Sequence, residues 1–124
     1  MNTPDRKNWK KFIKRCRNRY MKIGYVKCPA FGNEKIYFTQ AGFNHLLRKG
    51  RKLREKNDQI RRLTLVFHAP TILAVSTIVS SYERTYLRDS SADFWSFVGT
   101  RKEISITVVI RQLNGGRKHF FSIF

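Results

Sequence analysis

The sequence predicts an α+β domain with helices through the first two thirds and an antiparallel sheet at the end, one face of which packs on the helices. Three observations carry this. Apolar residues recur at helical spacing from Trp9 to Ile23 and again from Ile60 to Val79. Four strand-like runs follow Tyr82, and the last two are separated by Asn114-Gly115, the favoured pair for a two-residue hairpin turn. With 124 residues, 41% of them hydrophobic, the chain suits one domain with its own core and not a disordered basic tail.

From Arg6 to Ile23 the residues Trp9, Phe12, Ile13, Cys16, Tyr20 and Ile23 share one helix face, and most other positions are Lys or Arg. Thr3 or Asp5 can cap this helix and Gly24 ends it. Tyr25 to Glu34 contains Pro29 and Gly32 and reads as an irregular link. Lys35 to Thr39 has strand character, and Thr39 can cap a short helix over Gln40 to Lys49. Phe43, Leu46 and Leu47 cluster on one side of it, which leaves His45 nearly opposite, flanked by Arg48 and Lys49 and pointing away from the core. Gly50 to Asn57 reads as an exposed basic loop or frayed turn able to clamp phosphates. Asn57 or Asp58 caps a main core helix that Pro70 bends or restarts, with His68 as a structural residue within it. Tyr82 to Arg88, Asp93 to Gly99, Glu103 to Gln112 and Lys118 to Phe124 then form an antiparallel meander.

The charge is large and uneven. The net charge is +18, and residues 1–62 hold 19 basic and 4 acidic side chains against 7 and 4 in residues 63–124. Such a field attracts polyanions, so nucleic acid or an acidic protein is the expected partner, ahead of a merely solubilising surface. No stretch has the length and apolarity of a membrane helix, and Met1 to Asp5 lacks the apolar core of a signal peptide, so the expected compartment is the cytoplasm, with no membrane partner. Cys16 and Cys28 lack the spacing and neighbouring histidines of a metal site, and neither a P-loop nor clustered carboxylates for two-metal chemistry is present. No metal or cofactor is expected.

If Asn114-Gly115 forms the turn, counting back pairs Arg111 with Lys118, Val109 with Phe120 and Thr107 with Ser122 on one half-polar face. Ile110, Val108 and Ile106 then meet His119, Phe121 and Ile123 on the face against the helices. A three-residue loop would swap one strand's residues between the faces.

The order of a strand, a Gly-Phe-Asn-His45 helix, a basic loop, a Gln59-Ile-Arg-Arg-Leu63 helix, then Ile-Thr-Val-Val-Ile-Arg111 and a closing Lys-His-Phe-Phe-Ser122 strand resembles the phage-type nucleases of the barnase, EndoU, colicin and RelE-like (BECR) superfamily. The resemblance covers residues 35–124 as a nuclease-like core of a single domain spanning 1–124, with residues 1–24 as a basic amphipathic helix. It implies N-terminal helices packed on one face of a four-stranded antiparallel sheet. It also implies metal-independent RNA cleavage on the open face, and a toxin role restrained by an acidic antitoxin or immunity protein. His45 matches the helix histidine of such families, Arg111 the basic residue of the penultimate strand, and Ser122 the hydroxyl of the last. No Glu accompanies them as a barnase-like base would, which leaves His45 for that task and His119 or a Lys to donate the proton.

Cleavage of this kind needs a base for the 2′-hydroxyl, cations for the pentavalent phosphate and an acid for the leaving oxygen. The assigned catalytic residues are His45, Arg48 and Arg111 as phosphate clamps, and Thr107 with Ser122 as hydrogen-bond donors. Lys49, Arg51, Lys52, Arg54, Arg61 and Lys118 are assigned to RNA binding. Tyr37 and Trp95 can stack on bases, a core role being the more ordinary assignment for each. Two rivals use the same residues: a non-catalytic RNA-binding or ribosome-associated module, and an enzyme-like interaction protein that has lost catalysis. His45 discriminates, because phosphate neutralisation gains nothing from a histidine that is neutral at pH 7.

Overall fold

A computed structural model describes residues 6–124, and the statements below concern those residues; Thr3 and Asp5, the expected caps of the first helix, lie outside them. Helix α1 (Arg6–Met21) follows the expected spacing. Tyr20 and Cys16 are buried, Trp9, Phe12 and Ile13 pack partly buried on the same core, and the lysines face out. The chain leaves α1 through Gly24 at φ +69°, a conformation that favours glycine.

The segment expected to be an irregular link, Tyr25 to Glu34, instead carries a strand and a turn, and that strand forms a hairpin with the strand expected after it. Strand β1 (Tyr25–Cys28) runs through a 3-10 turn at Pro29–Phe31 into β2 (Glu34–Tyr37), with Val26 opposite Ile36 and Cys28 opposite Glu34. Gly32 and Asn33, both at positive φ, reverse the chain, and the reversal lets Cys28 and Ile36 be buried. Helix α2 (Gln40–Leu47) begins as expected at Thr39, whose hydroxyl accepts a hydrogen bond from the Gly42 amide at 3.2 Å. The basic segment after it is a two-stranded ribbon of β3 (Arg48–Lys49) and β4 (Lys52–Leu53), turned at Gly50.

The expected main core helix is divided. Helix α3 (Lys56–Leu65) has Glu55 in the cap position, so Asn57 and Asp58 fall inside its first turn. A 3-10 turn (Val66–His68) follows, and α4 (Ala69–Val75) restarts with Pro70 in its first turn, where proline's missing N–H has no intrahelical partner to lose. The four C-terminal runs are β5 (Ser81–Leu87), β6 (Ser90–Arg101), β7 (Ile104–Leu113) and β8 (Lys118–Ile123).

The expected four-stranded antiparallel sheet is a six-stranded mixed one, ordered β1-β2-β8-β7-β6-β5. The β1–β2 hairpin extends the meander, and its contact with β8 is parallel, through Tyr37 opposite His119. The α+β class stands; the sheet is larger because the supposed link carries β1, which pairs with the expected strand, β2, and that strand joins β8. Helix α4 packs on β1, β6 and β7, and α2 on β8, enclosing a core of Ile36, Phe38, Phe43, Leu46, Leu63, Leu73, Phe97, Ile110 and Phe120 among others. No helix is long and apolar enough to cross a membrane.

The α2–β8 contact is unusually close. A Cβ added to Gly42 would lie 2.5 Å from the carbonyl oxygen of Phe120 and 2.7 Å from the Tyr20 hydroxyl. Tyr20 is fully buried, donates to the Thr39 carbonyl at 2.8 Å, and packs its ring against Phe38, Phe43 and Phe120. Gly42→Ala is therefore expected to destabilise the fold by about 1–3 kcal/mol, because the obstacle is backbone and cannot rotate aside. Urea unfolding checks this; an unchanged midpoint would contradict the close approach.

Candidate functional site

Beyond Tyr37 the β2 strand leaves β8, and α2 packs along β8 there, with Arg62 of α3 bonded to the strand's end. This seats His45 on the sheet. Its ring lies 4.2 Å from the ring of Phe121, centroid to centroid, and the Arg111 guanidinium sits over the same Phe121 at 4.6 Å. Phe94 completes the patch, edge-on to Phe121 at 5.2 Å. His45 lies outside the core cluster, as expected from its side of α2, but it is not free in solvent. It is half-buried, because α2 packs along the β8 edge and its second side meets the open face of the sheet.

Register explains which residues share that face. Asn114 and Gly115 both have positive φ and Gly116 donates to the Leu113 carbonyl at 2.8 Å, so the expected turn forms. One further residue is then taken up before β8 pairs, so Arg111 lies opposite His119, Gln112 opposite Lys118 and Ile110 opposite Phe120. A bulge between Val109 and Ile110 shifts the rest, placing Ser122 opposite Val109 and Ile123 opposite Val108. The expected pairs of Arg111 with Lys118, Val109 with Phe120 and Thr107 with Ser122 are all displaced. His119 and Phe121 join Arg111 on the open face, and Phe120 enters the core.

Lys118 moves to the helix side. Its ammonium bonds Glu34 at 2.9 Å and lies over Phe31 and Trp95, so it is an ion-paired residue away from His45. Trp95 is likewise on the helix side, packed against the core. Ser122 is buried, and its hydroxyl accepts from Arg62 Nη1 at 3.1 Å, which also donates to the Ile123 carbonyl at 2.8 Å. Thr107 pairs through its backbone with Phe124 and stands four residues along β7 from Arg111, about 13 Å at strand rise. The structure therefore does not bring Thr107 to His45.

The remaining assigned cations divide into two groups. Arg48, Lys49, Arg51 and Lys52 are exposed on and around the β3–β4 ribbon, and Arg48 Nη1 donates to the Arg51 carbonyl at 3.3 Å. A surface pocket of about 300 Å³ joins Arg48 to His45, with Ala41, Asn44 and Gly50 as its other walls. Arg54 and Arg61 instead form part of a cluster on Asp58, at 3.5 and 3.3 Å, which Arg62 completes at 3.2 Å. Arg54 is buried and donates from Nε to the His45 carbonyl at 3.0 Å, so it holds the end of α2. Arg62 was not among the assigned residues. Its i,i+4 spacing from Asp58 is visible in the sequence, but its bond to Ser122 spans 60 positions and is not.

These cations set the protonation states. Burial lowers the pKa of His45, and Arg54, Arg62, Arg111 and Lys49 lower it further, to about 4. Burial alone would raise Asp58, but Arg62, Arg61 and Arg54 outweigh it and hold the carboxyl below its ordinary value. His119 is also lowered, by burial and then by Arg111. Arg111 Nε donates to His119 Nε2 at 2.9 Å, which makes that nitrogen an acceptor and places the ring proton on Nδ1, 3.4 Å from the Arg117 carbonyl. Both imidazoles are therefore neutral at pH 7, in a field that favours an anion. His45 Nδ1 is buried and makes no hydrogen bond within the protein. Among the described residues, no three His, Cys, Asp or Glu side chains are grouped to hold a metal ion.

Because the unfolded chain takes up the His45 proton near pH 6.5 and the folded chain only near 4, stability is expected to fall as the pH drops through that interval. His45→Gln should flatten the slope. Imidazole NMR titration should place His45 near 4 and move it upward when inorganic phosphate is added, since a bound anion offsets the surrounding arginines. A value of 6.5 indifferent to phosphate would contradict the cluster.

No protein-family model, curated protein or solved structure matches this chain, so its function is read from its own geometry.

Proposed function

We propose that the protein is a metal-independent endoribonuclease that cleaves RNA by attack of the 2′-hydroxyl on the adjacent phosphate. The observation that carries this reading is a neutral imidazole, His45, placed among fixed guanidinium groups and opening with Arg48 onto one surface pocket. A cationic surface for holding phosphate alone has no use for such a base. Here the arginines suppress protonation in the free protein, and arrival of a phosphate relieves that suppression, so the imidazole becomes a better base as substrate binds.

In this mechanism His45 takes the 2′-hydroxyl proton. Arg111 and Arg48 neutralise the charge that grows on the phosphorane oxygens, with Lys49 beside them. The imidazolium so formed at His45 gives that proton back to the departing 5′-oxygen, leaving a 2′,3′-cyclic phosphate, while His119, bonded to Arg111, holds that guanidinium in place. Arg54 and Arg62 act as positioning residues through the His45 carbonyl and the end of β8. Ser122 fits the same supporting role, since its hydroxyl is bonded to Arg62. Arg51 and Lys52 on the ribbon hold flanking phosphates. A cleavage activity of this kind fits a toxin held in check by an acidic antitoxin, whose charge the +18 chain would attract.

The test is incubation of purified protein with total RNA in EDTA, and with translating ribosomes, followed by analysis of product ends. Wild type should leave 2′,3′-cyclic phosphates. His45→Ala should lose activity by about 10²–10⁴-fold, and Arg111→Ala by about 10²-fold or more. Intact RNA in both settings, bound with salt-sensitive affinity by wild type and His45→Ala alike, would replace this reading with a binding module.

A further inference from the structure

We infer that the β1–β2 extension carries a second subsite, a stacking track that takes the single-stranded RNA leading into the His45 site. The inference rests on the nuclease reading for what lies at the end of the track, but not for the track itself. Tyr25 and Tyr37 are register partners on adjacent strands, with ring centroids 6.0 Å apart. Tyr37 in turn lies opposite His119, and His119 is bonded to Arg111. All four therefore stand on the face opposite the helices, in one row across β1, β2, β8 and β7. At ordinary strand spacing the row is about 14 Å long, room for two to three nucleotides.

Each tyrosine carries its own cation. Lys35 Nζ lies 4.6 Å from the Tyr25 ring and the Arg117 guanidinium 4.8 Å from that of Tyr37. Both cations are exposed, as is Tyr25 at 47%. A pocket of about 330 Å³ lies between Lys35, Tyr37 and Arg117, and its one carboxylate, Glu34, is taken up by Lys118 at 2.9 Å. Unopposed cations alternating with ring and guanidinium planes match a single strand, in which each nucleotide presents one phosphate and one flat base. An acidic polypeptide would use the cations but would leave the paired tyrosines without a role. Duplex RNA keeps its bases stacked inside and would gain nothing from the rings.

Fluorescence anisotropy with a labelled, fully 2′-O-methylated single strand of about eight nucleotides tests this without any cleavage, so its result is independent of the nuclease assay. Tyr37→Ala and Tyr25→Ala should each weaken binding about tenfold. Tyr86→Ala, a highly exposed tyrosine on β5, should leave it unchanged. Arg117→Ala, which alters only an exposed side chain, should weaken binding and reduce its salt dependence, which secures the test if Tyr37→Ala fails to fold. Equal affinity of wild type, Tyr25→Ala and Arg117→Ala would overturn the proposal. So would displacement of the strand by duplex RNA or polyglutamate at matched charge, which would assign the surface to those partners. Cleavage lost in His45→Ala with binding intact is the expected combination; binding retained when wild type proves inactive would preserve the track and remove only the nuclease.

Discussion

The approach of α2 to β8 at Gly42 governs how His45 and its neighbours are placed. With no side chain at that residue, the helix backbone reaches the Phe120 carbonyl, and the Tyr20 hydroxyl fills what room is left while anchoring Thr39. Three residues further along the helix, His45 is thereby set down on Phe121. A helix held even one methyl group farther out would lose that ring contact and, with it, the burial that keeps the imidazole neutral.

Charge organises the other side of the site. Three arginines converge on Asp58, yet a single carboxylate cannot neutralise three guanidiniums, and the surplus falls on His45 and the end of β8. Arg54, just before α3, and Arg62, on it, also donate to the backbone carbonyls of His45 and Ile123, tying this part of the chain to both α2 and the last strand. The same groups thus maintain the fold and create the local excess of positive potential. Arg111 adds to it from β7, placed over the ring of Phe121 and joined to His119. The aromatic residues separate these cations from solvent on one side, so their field is less screened than that of the exposed lysines on α1.

Local chemistry was readable wherever a single residue type dictates the backbone. Thr39 as a cap, Pro70 as a restart, Asn114-Gly115 as a turn and the helical face of α1 all appear in the structure as expected. The pairing of β8 was not readable, since one residue absorbed after the turn and one bulge decide which side chains face the helices. Alternation predicts membership of a face only relative to a register, and a shift of one reverses it. That reversal brought His119 and Phe121 to the site and removed Lys118 from it. Likewise β1 and its turn into the expected strand were hidden by Pro29 and Gly32, which mark a turn as readily as they mark a loop.

By itself the sequence determined the α+β class, the excess of positive charge in the first half and the place of His45 on the side of its helix away from the apolar residues, because these depend on composition and short-range periodicity; Arg111 was singled out only through the family resemblance. Only the tertiary structure decided that His45 is half-buried and neutral, that Arg62 and Ser122 are joined, and that two tyrosines from the N-terminal third line up with the C-terminal hairpin. Those facts depend on contacts between residues up to 82 positions apart, as with Tyr37 and His119, and no local pattern along the chain encodes a distance of that kind.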